Sequence, residues 1–217
     1  MTIGVHFQVP AGWHMYWVNP GDAGMPPTVQ WSLPAGWSAG EWQWPTPTRM
    51  ANSAGVDYGY EDEVTLLTPV KVGSAGGDIT ANLKWLVCKD VCVPQKGSAK
   101  TTVRMGTNTV DPAAKQALDA AKVRLPKTMP VQWKVNGFQN PNQVILNFRP
   151  GIKVEQAVFF PAEREVIENA ATQRLSSTSY AAQLAMSKMV TGKKIARLKG
   201  VLFVNGEDSY AVNVPVR

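Results

Sequence analysis

The stretch Lys84-Trp85-Leu86-Val87-Cys88-Lys89-Asp90-Val91-Cys92-Val93-Pro94 contains both cysteines of the 217-residue chain. An apolar run leads into Cys88, and a charged Lys-Asp pair follows before Cys92. In an extended strand four residues span roughly 13 Å, whereas the Cα atoms of a disulfide lie about 4.4–6.8 Å apart. A bond between the two cysteines therefore requires the backbone to turn at residues 89–91, either in a hairpin-like loop or in one helical turn.

This cysteine pair has three possible roles. A bond that closes so short a loop constrains the unfolded chain only slightly, which favours redox chemistry over reinforcement. Lys89 would lower the pKa of a neighbouring thiol, and Asp90 would oppose that effect. A structural disulfide and a metal site are the alternatives. Zinc normally takes four ligands, and the chain has only two histidines, His6 and His14, to add to its two cysteines. Cu(I) could accept two thiolates and a methionine.

Composition and charge both divide the chain near its middle. Seven of the eight tryptophans lie in the first 85 residues, and only Trp133 lies beyond them. Residues 1–108 carry 7 Lys and Arg against 8 Asp and Glu, whereas residues 109–217 carry 15 against 8. The net charge of +6 therefore comes from the second part. A chain of this length with such a division is predicted to form two domains.

Short alternating segments bounded by Pro and Gly predict a β-sandwich over residues 1–108. Asp111 before Pro112 predicts the N-cap and first position of a helix that ends at Val123. Residues 109–127 are therefore expected to be a helical linker. A second, smaller β-sandwich is expected over residues 128–217. The predicted strands are 3–9, 28–32, 64–72, 78–87, 100–105, 131–135, 143–148, 154–160, 179–186, 194–204 and 209–216, with a hairpin turn at Asn205-Gly206.

Several function classes lack their sequence signals. The chain has no apolar run of eighteen residues, no phosphate-binding glycine loop, no metalloprotease motif and no glycine-flanked serine nucleophile. Nucleic-acid binding is not expected, because the basic run at residues 193–199 has no interleaved aromatic residues. The strand-like start at residues 3–10 differs from a signal peptide. Met1 is therefore expected to mark a boundary within a longer precursor.

Three motifs carry a resemblance to a known family. They are the run from Gly12 to Pro27, which begins Gly-Trp-His-Met-Tyr-Trp, the run Tyr58-Gly59-Tyr60-Glu61, and the run from Trp85 to Cys92. In this order they resemble the N-terminal periplasmic region of DsbD-like protein-disulfide reductases, particularly the suppressor-of-copper-sensitivity (ScsB) branch. The resemblance is strong over residues 1–108 and weaker beyond. It implies an all-β fold of two immunoglobulin-like β-sandwich domains joined by a short helical connector.

The resemblance also implies the site and its partners. Cys88 and Cys92 match the redox pair, and Cys92 is implied to form the mixed disulfide. The run Asp57-Tyr58-Gly59-Tyr60-Glu61 matches a loop that caps the active site in that family, although Asp57 stands where relatives have Phe. Tyr58 or Tyr60 is therefore expected to lie over the sulfurs, with Lys89 and Asp90 as neighbours of the pair.

The implied function is a periplasmic relay of electrons that uses no organic cofactor and no metal. The implied partners are thioredoxin-fold periplasmic proteins, together with thioredoxin-like and transmembrane domains of the same full-length protein. Two alternatives stay open at this point. The cysteine pair could belong to a copper-binding module, or the tryptophans could form the sugar platform of a carbohydrate-binding β-sandwich whose disulfide is structural.

Overall fold

The computed structural model describes residues 1–52, 55–106 and 111–217. The described chain is mostly β, with one α-helix, α1 (Pro112–Val123), and one 3₁₀ turn at Val131–Trp133. This confirms the predicted predominance of strands. In chain order the strands are β1 (Thr2–Gln8), β2 (His14–Gly21), β3 (Thr28–Ser32), β4 (Ser38–Ala39), β5 (Thr48–Asn52), β6 (Gly55–Glu61), β7 (Glu63–Lys71), β8 (Gly77–Cys88), β9 (Cys92–Val103), β10 (Lys127–Thr128), β11 (Asn136–Gln139), β12 (Gln143–Phe148), β13 (Ala157–Pro161), β14 (Arg174–Ser177), β15 (Ala182–Ser187), β16 (Arg197–Val204) and β17 (Asp208–Pro215).

The chain separates into two compact units. The first unit comprises Met1–Pro20, Gly24–Thr48 and Gly59–Leu125, and the second comprises Gly21–Ala23, Arg49–Tyr58 and Pro126–Arg217. Two short segments from the first half of the sequence therefore belong to the second unit. The predicted boundary at residue 108 lies outside the described residues. The division into 1–108, 109–127 and 128–217 stays a prediction.

Strand β8 pairs with three other strands of the first unit. It pairs antiparallel with β9 along its whole length, from Gly77 opposite Val103 to Cys88 opposite Cys92. Its other edge pairs with β3 and, near its end, with β2. A second sheet has the order β1-β7-β4. Alternate side chains of β8 are buried, as a strand with one face on a core requires, and these are Ile79, Ala81, Leu83 and Val87.

The second unit contains two four-stranded sheets, with orders β10-β17-β16-β13 and β11-β12-β15-β14. Both sheets contribute to one apolar cluster, in which Leu146 and Leu184 face Phe159 and Leu202 from the other sheet. The Asn205-Gly206 hairpin is confirmed. Both residues have positive φ, 54° and 76°, in the turn that joins β16 to β17.

The predicted helix is confirmed, and the predicted strand 131–135 is wrong. Asp111 Oδ1 accepts a hydrogen bond from the Ala113 N–H at the start of α1. Residues Val131–Trp133 instead form a 3₁₀ turn, which ends where Lys134 adopts the left-handed conformation at φ 48°. The alternation of Val131, Trp133 and Val135 resembles that of a strand, but Trp133 reaches the core of the second unit from a turn.

Candidate redox site

The two cysteines lie at the end of the β8–β9 hairpin. Strand β8 ends at Cys88, β9 begins at Cys92, and the two residues are directly opposite each other in the antiparallel register. They form a disulfide with a Cα–Cα distance of 4.2 Å. The turn at residues 89–91 is closed by a hydrogen bond of 3.2 Å from the Lys89 N–H to the Val91 carbonyl. Of the two turns that the sequence allowed, the structure has the hairpin loop.

The two cysteines differ in exposure. Cys88 is only 2% exposed, whereas Cys92 is exposed and Val91 beside it is 64% exposed. The Cys92 side is therefore the exposed side of the bond. Lys89 and Asp90 are exposed as well. The Lys89 ammonium lies 3.6 Å from the position that a Cβ on Gly12 would occupy, so this side chain extends along the turn before β2.

Strand β2 places a histidine and a tyrosine beside the disulfide. His14 pairs with Cys88 in the register of β2 and β8. Because side chains two apart on a strand share a face, Tyr16 lies on the same side, and its hydroxyl is 3.6 Å from the Cys92 Sγ. The His14 and Tyr16 rings meet edge to face with centroids 5.1 Å apart. The sequence reasoning missed Tyr16, although the alternation of His14 and Tyr16 in a strand was a signal for it.

The ring of Tyr16 is itself covered by backbone. A Cβ placed on Gly24 would lie 2.1 Å from Tyr16 Cζ and 2.4 Å from both Cε atoms. Only a residue without a side chain allows the backbone to approach the ring so closely. The loop after β2 therefore packs against Tyr16, while the hydroxyl of the same ring contacts the disulfide.

The run predicted to cap the site makes contacts of its own. The buried Tyr60 donates its hydroxyl hydrogen to the Pro45 carbonyl at 2.7 Å, and burial raises the pKa of Tyr60 well above its ordinary value. Tyr58 is also buried, and burial raises the pKa of Tyr58, offset only in part by the Arg49 guanidinium. Asp57 Oδ2 accepts a hydrogen bond from Asn52 Nδ2 at 2.6 Å.

These contacts do not involve the disulfide, and Glu61 is exposed. A capping role for residues 57–61 stays a prediction. The tyrosine that the structure brings to the sulfurs is Tyr16. Within residues 1–52, 55–106 and 111–217, no group of three or more His, Cys, Asp or Glu side chains is arranged to hold a metal ion. The one helix described is too short and too polar to cross a bilayer.

Tyr16→Phe is expected to raise the pKa of the Cys92 thiol in the reduced protein. A hydroxyl that donates a hydrogen bond to the thiolate favours the charged form, and its loss should raise the pKa by roughly 0.5–1 unit. The rate of Cys92 alkylation, followed against pH in a Cys88→Ala background, measures this pKa. Tyr180→Phe is the control, because Tyr180 is exposed in the second unit. An unchanged pKa in Tyr16→Phe would show that the contact does not act on the thiolate.

Comparison with known proteins finds a family match and a similar solved structure. Residues 1–104 match the family described as "Thiol:disulfide interchange protein DsbD, N-terminal". The structure is similar to the crystal structure of the N-terminal periplasmic domain of ScsB from Proteus mirabilis, with a TM-score of 0.77 and 20% sequence identity, over 99% of this chain and 87% of that chain. At this identity the similarity shows a shared fold. No curated protein sequence matches the chain. The resemblance that the motifs carry is thus confirmed over residues 1–104, which match the family of DsbD N-terminal domains.

Proposed function

We propose that this chain is a thiol-disulfide exchange domain that relays electrons to thioredoxin-fold proteins through Cys88 and Cys92. The observation that carries the proposal is the hairpin disulfide, in which Cys92 is exposed and Cys88 is buried. Such a bond presents one sulfur to a partner and keeps the other within reach for resolution. A disulfide that closes so short a loop adds little to the stability of a fold. This supports a redox role for the bond over a structural role.

The proposed exchange proceeds in two balanced steps. The Cys92 thiolate of the reduced protein attacks a sulfur of the partner's disulfide, which forms a mixed disulfide and releases one partner thiolate. The Cys88 thiolate then attacks Cys92 Sγ, which forms the Cys88–Cys92 bond and releases the second partner thiolate. The partner gains two electrons and, after protonation of its thiolates, two protons. A dithiol donor restores the reduced pair by the reverse sequence.

We also propose where the chain acts and which domains supply its electrons. The chain would act in the periplasm as the soluble portion of an inner-membrane protein-disulfide reductase, of the suppressor-of-copper-sensitivity branch. Its electrons would come from thioredoxin-like and transmembrane domains of the same full-length protein. The match of residues 1–104 to the DsbD N-terminal family and the shared fold with a periplasmic ScsB domain support this placement.

The proposal extends to the fold of both units. We propose that each is an immunoglobulin-like β-sandwich. The second unit supports this with two four-stranded sheets around one apolar cluster. In the first unit, β8 with its neighbours and the β1-β7-β4 sheet would form the two layers.

The reduction potential of the Cys88–Cys92 couple tests the function. Equilibration against glutathione buffers, with the two redox states separated after alkylation, should give a potential between about −270 and −120 mV, the range of exchanging pairs. Cys88→Ala and Cys92→Ala mark the single-thiol forms on the same gels. A potential below about −300 mV is typical of structural disulfides, and it would contradict the proposed relay. Titration of Cu(I) into the reduced protein tests the copper-binding alternative.

A further inference from the structure

Two lysines of the first unit face each other across the redox hairpin. Lys84 of β8 lies directly opposite Lys96 of β9 in the antiparallel register, and both residues are exposed. The Cβ atoms of directly opposed residues lie about 4.5–5.5 Å apart. Like charges in this position repel each other and destabilise the pairing of two strands. The lysine pair therefore does not serve the stability of the sheet.

No carboxylate balances these two ammonium groups. In the part of the chain that the structure describes, neither lysine of the pair takes part in an ion pair. Lys100, four residues further along β9, is different, because its Nζ lies 2.7 Å from Asp78 Oδ2. At the tip of the hairpin, the opposite charges of Lys89 and Asp90 are adjacent in the chain. The excess positive charge of the hairpin therefore comes from the lysine pair.

Protection of a sheet edge explains only one of the two lysines. Lysine is common on exposed edge strands, where its charge prevents pairing with another chain. Among the described strands β9 pairs only with β8, so β9 is an edge strand and Lys96 fits this role. Lys84 belongs to β8, which pairs with β9 on one side and with β3 on the other. An interior strand has no free edge to protect, so Lys84 has another role.

The lysine pair and the disulfide lie on the same face of the hairpin. Side chains two residues apart on a strand share a face. Four positions separate Lys84 from Cys88 on β8, and four separate Cys92 from Lys96 on β9. Four residues of strand span about 13 Å. An interface of ordinary size buries about 800 Å² on each protein, which is a patch roughly 16 Å in radius. A partner centred on Cys92 therefore covers both lysines.

We propose that Lys84 and Lys96 form a docking site for acidic side chains of the exchange partner. The inference rests on the exchange function proposed above and adds the chemistry of the partner, a protein with carboxylates about 13 Å from its reactive disulfide. A carboxylate between the two ammonium groups attracts both of them and offsets their mutual repulsion. Charges of this kind act mainly on the rate of association. The lysine pair thus selects acidic partners before the thiol chemistry begins.

The test uses the reduced full chain and two synthetic peptides, each with a central cysteine bonded to pyridine-2-thiol. One peptide carries Glu four positions to either side of the cysteine, and the other carries Gln there. The Cys92 thiolate attacks the peptide sulfur, which forms a mixed disulfide and releases pyridine-2-thiolate, whose absorbance gives the rate. Rates with 2-mercaptoethanol, a neutral thiol, correct for the intrinsic reactivity of each peptide. The Glu peptide should react roughly 3- to 10-fold faster at low ionic strength, and high salt should remove the preference.

Three double variants locate the source of this preference. Lys84→Gln/Lys96→Gln should abolish it, and Lys84→Glu/Lys96→Glu should reverse it. Lys71→Gln/Lys100→Gln is the matched control, because it removes the same charge from two exposed lysines. Lys71 lies in the other sheet of the first unit, and Lys100 lies eight residues from Cys92, a span of about 26 Å. The control should keep the preference for the Glu peptide.

Equal corrected rates for the two peptides with the wild-type protein would overturn the inference while the exchange function stands. A preference that persists in Lys84→Gln/Lys96→Gln would also overturn it. If the wild-type protein reacts with neither peptide, the proposed exchange function itself fails. If the double variant aggregates because the edge of β9 has lost its charge, Lys84→Gln alone carries the test. It should reduce the preference, and an unchanged preference in that variant would again overturn the inference.

Discussion

Cys88→Ala is expected to accumulate a covalent complex with an oxidised thioredoxin-fold protein, whereas Cys92→Ala is expected to form none. The exposed Cys92 can reach the partner's disulfide, and without Cys88 the mixed disulfide has no internal thiol to release it. Cys88 is 2% exposed, so as a single thiol it is withheld from the same attack. Neither variant has a resolving thiol, so the expected difference arises in the first attack, which only the exposed Cys92 can make.

The complex should appear as a reducible band on a non-reducing gel. The two single variants control each other, since both remove the intramolecular bond and keep one thiol. Lys89 beside Cys88 would by sequence alone favour the opposite assignment, but its ammonium extends along Gly12. Trapping by Cys92→Ala alone would reverse the roles of the cysteines, and trapping by neither variant would support a structural disulfide.

The sequence predicted a turn between the cysteines because that constraint is local. Two cysteines four residues apart can bond only across a tight turn, and strands β8 and β9 have the alternation and length to frame one. The N-cap at Asp111 and the Asn205-Gly206 turn were predicted for the same reason. In each case the residues that make the structure are neighbours in the chain, so no knowledge of the rest of the fold is needed.

The contacts that surround the sulfurs depend on pairings distant in sequence. Tyr16 meets Cys92 only because β2 pairs with β8, and 76 positions separate the two residues. The motif resemblance predicts Tyr58 or Tyr60 over the sulfurs, and that stays a prediction; their hydroxyls bind Asn169 and the Pro45 carbonyl. Long-range strand register brings Tyr16 to the site, and a single sequence does not reveal that register.

The sequence also did not reveal which segments form each unit. Residues 21–23 and 49–58 lie in the tryptophan-rich first half, yet they cluster with residues 126–217. The contacts that join them are polar ones around Asn169 and Asp22, together with the edge-to-face packing of Tyr58 on Phe160. The periodicity of apolar residues indicates which side chains of a strand are buried. It does not indicate which residues a single buried asparagine will hydrogen-bond.

Gly24→Ala is expected to destabilise the protein far more than Gly36→Ala, although the two glycines have nearly the same backbone angle. Their φ values are 77° and 78°, so an added methyl group costs each about 1–2 kcal/mol in backbone strain. At Gly36 the new Cβ would meet no atom within 4 Å. At Gly24 it would overlap the ring of Tyr16, and overpacking of this kind costs about 1–3 kcal/mol more. The difference between the two variants therefore isolates the contact with the ring.

Urea unfolding gives the free energy of unfolding for both variants, and alkylation of Cys92 in the Cys88→Ala background reports the site. Because the ring must move to admit the methyl group, Gly24→Ala should reproduce the raised thiol pKa of Tyr16→Phe, and Gly36→Ala should not. Equal losses of stability would mean that the backbone relaxes away from Tyr16 without cost. A large loss of stability with an unchanged thiol pKa would mean that the ring supports the fold without acting on Cys92. Only a loss of stability together with a raised pKa of the Cys92 thiol links Gly24, Tyr16 and the redox pair as one packed arrangement.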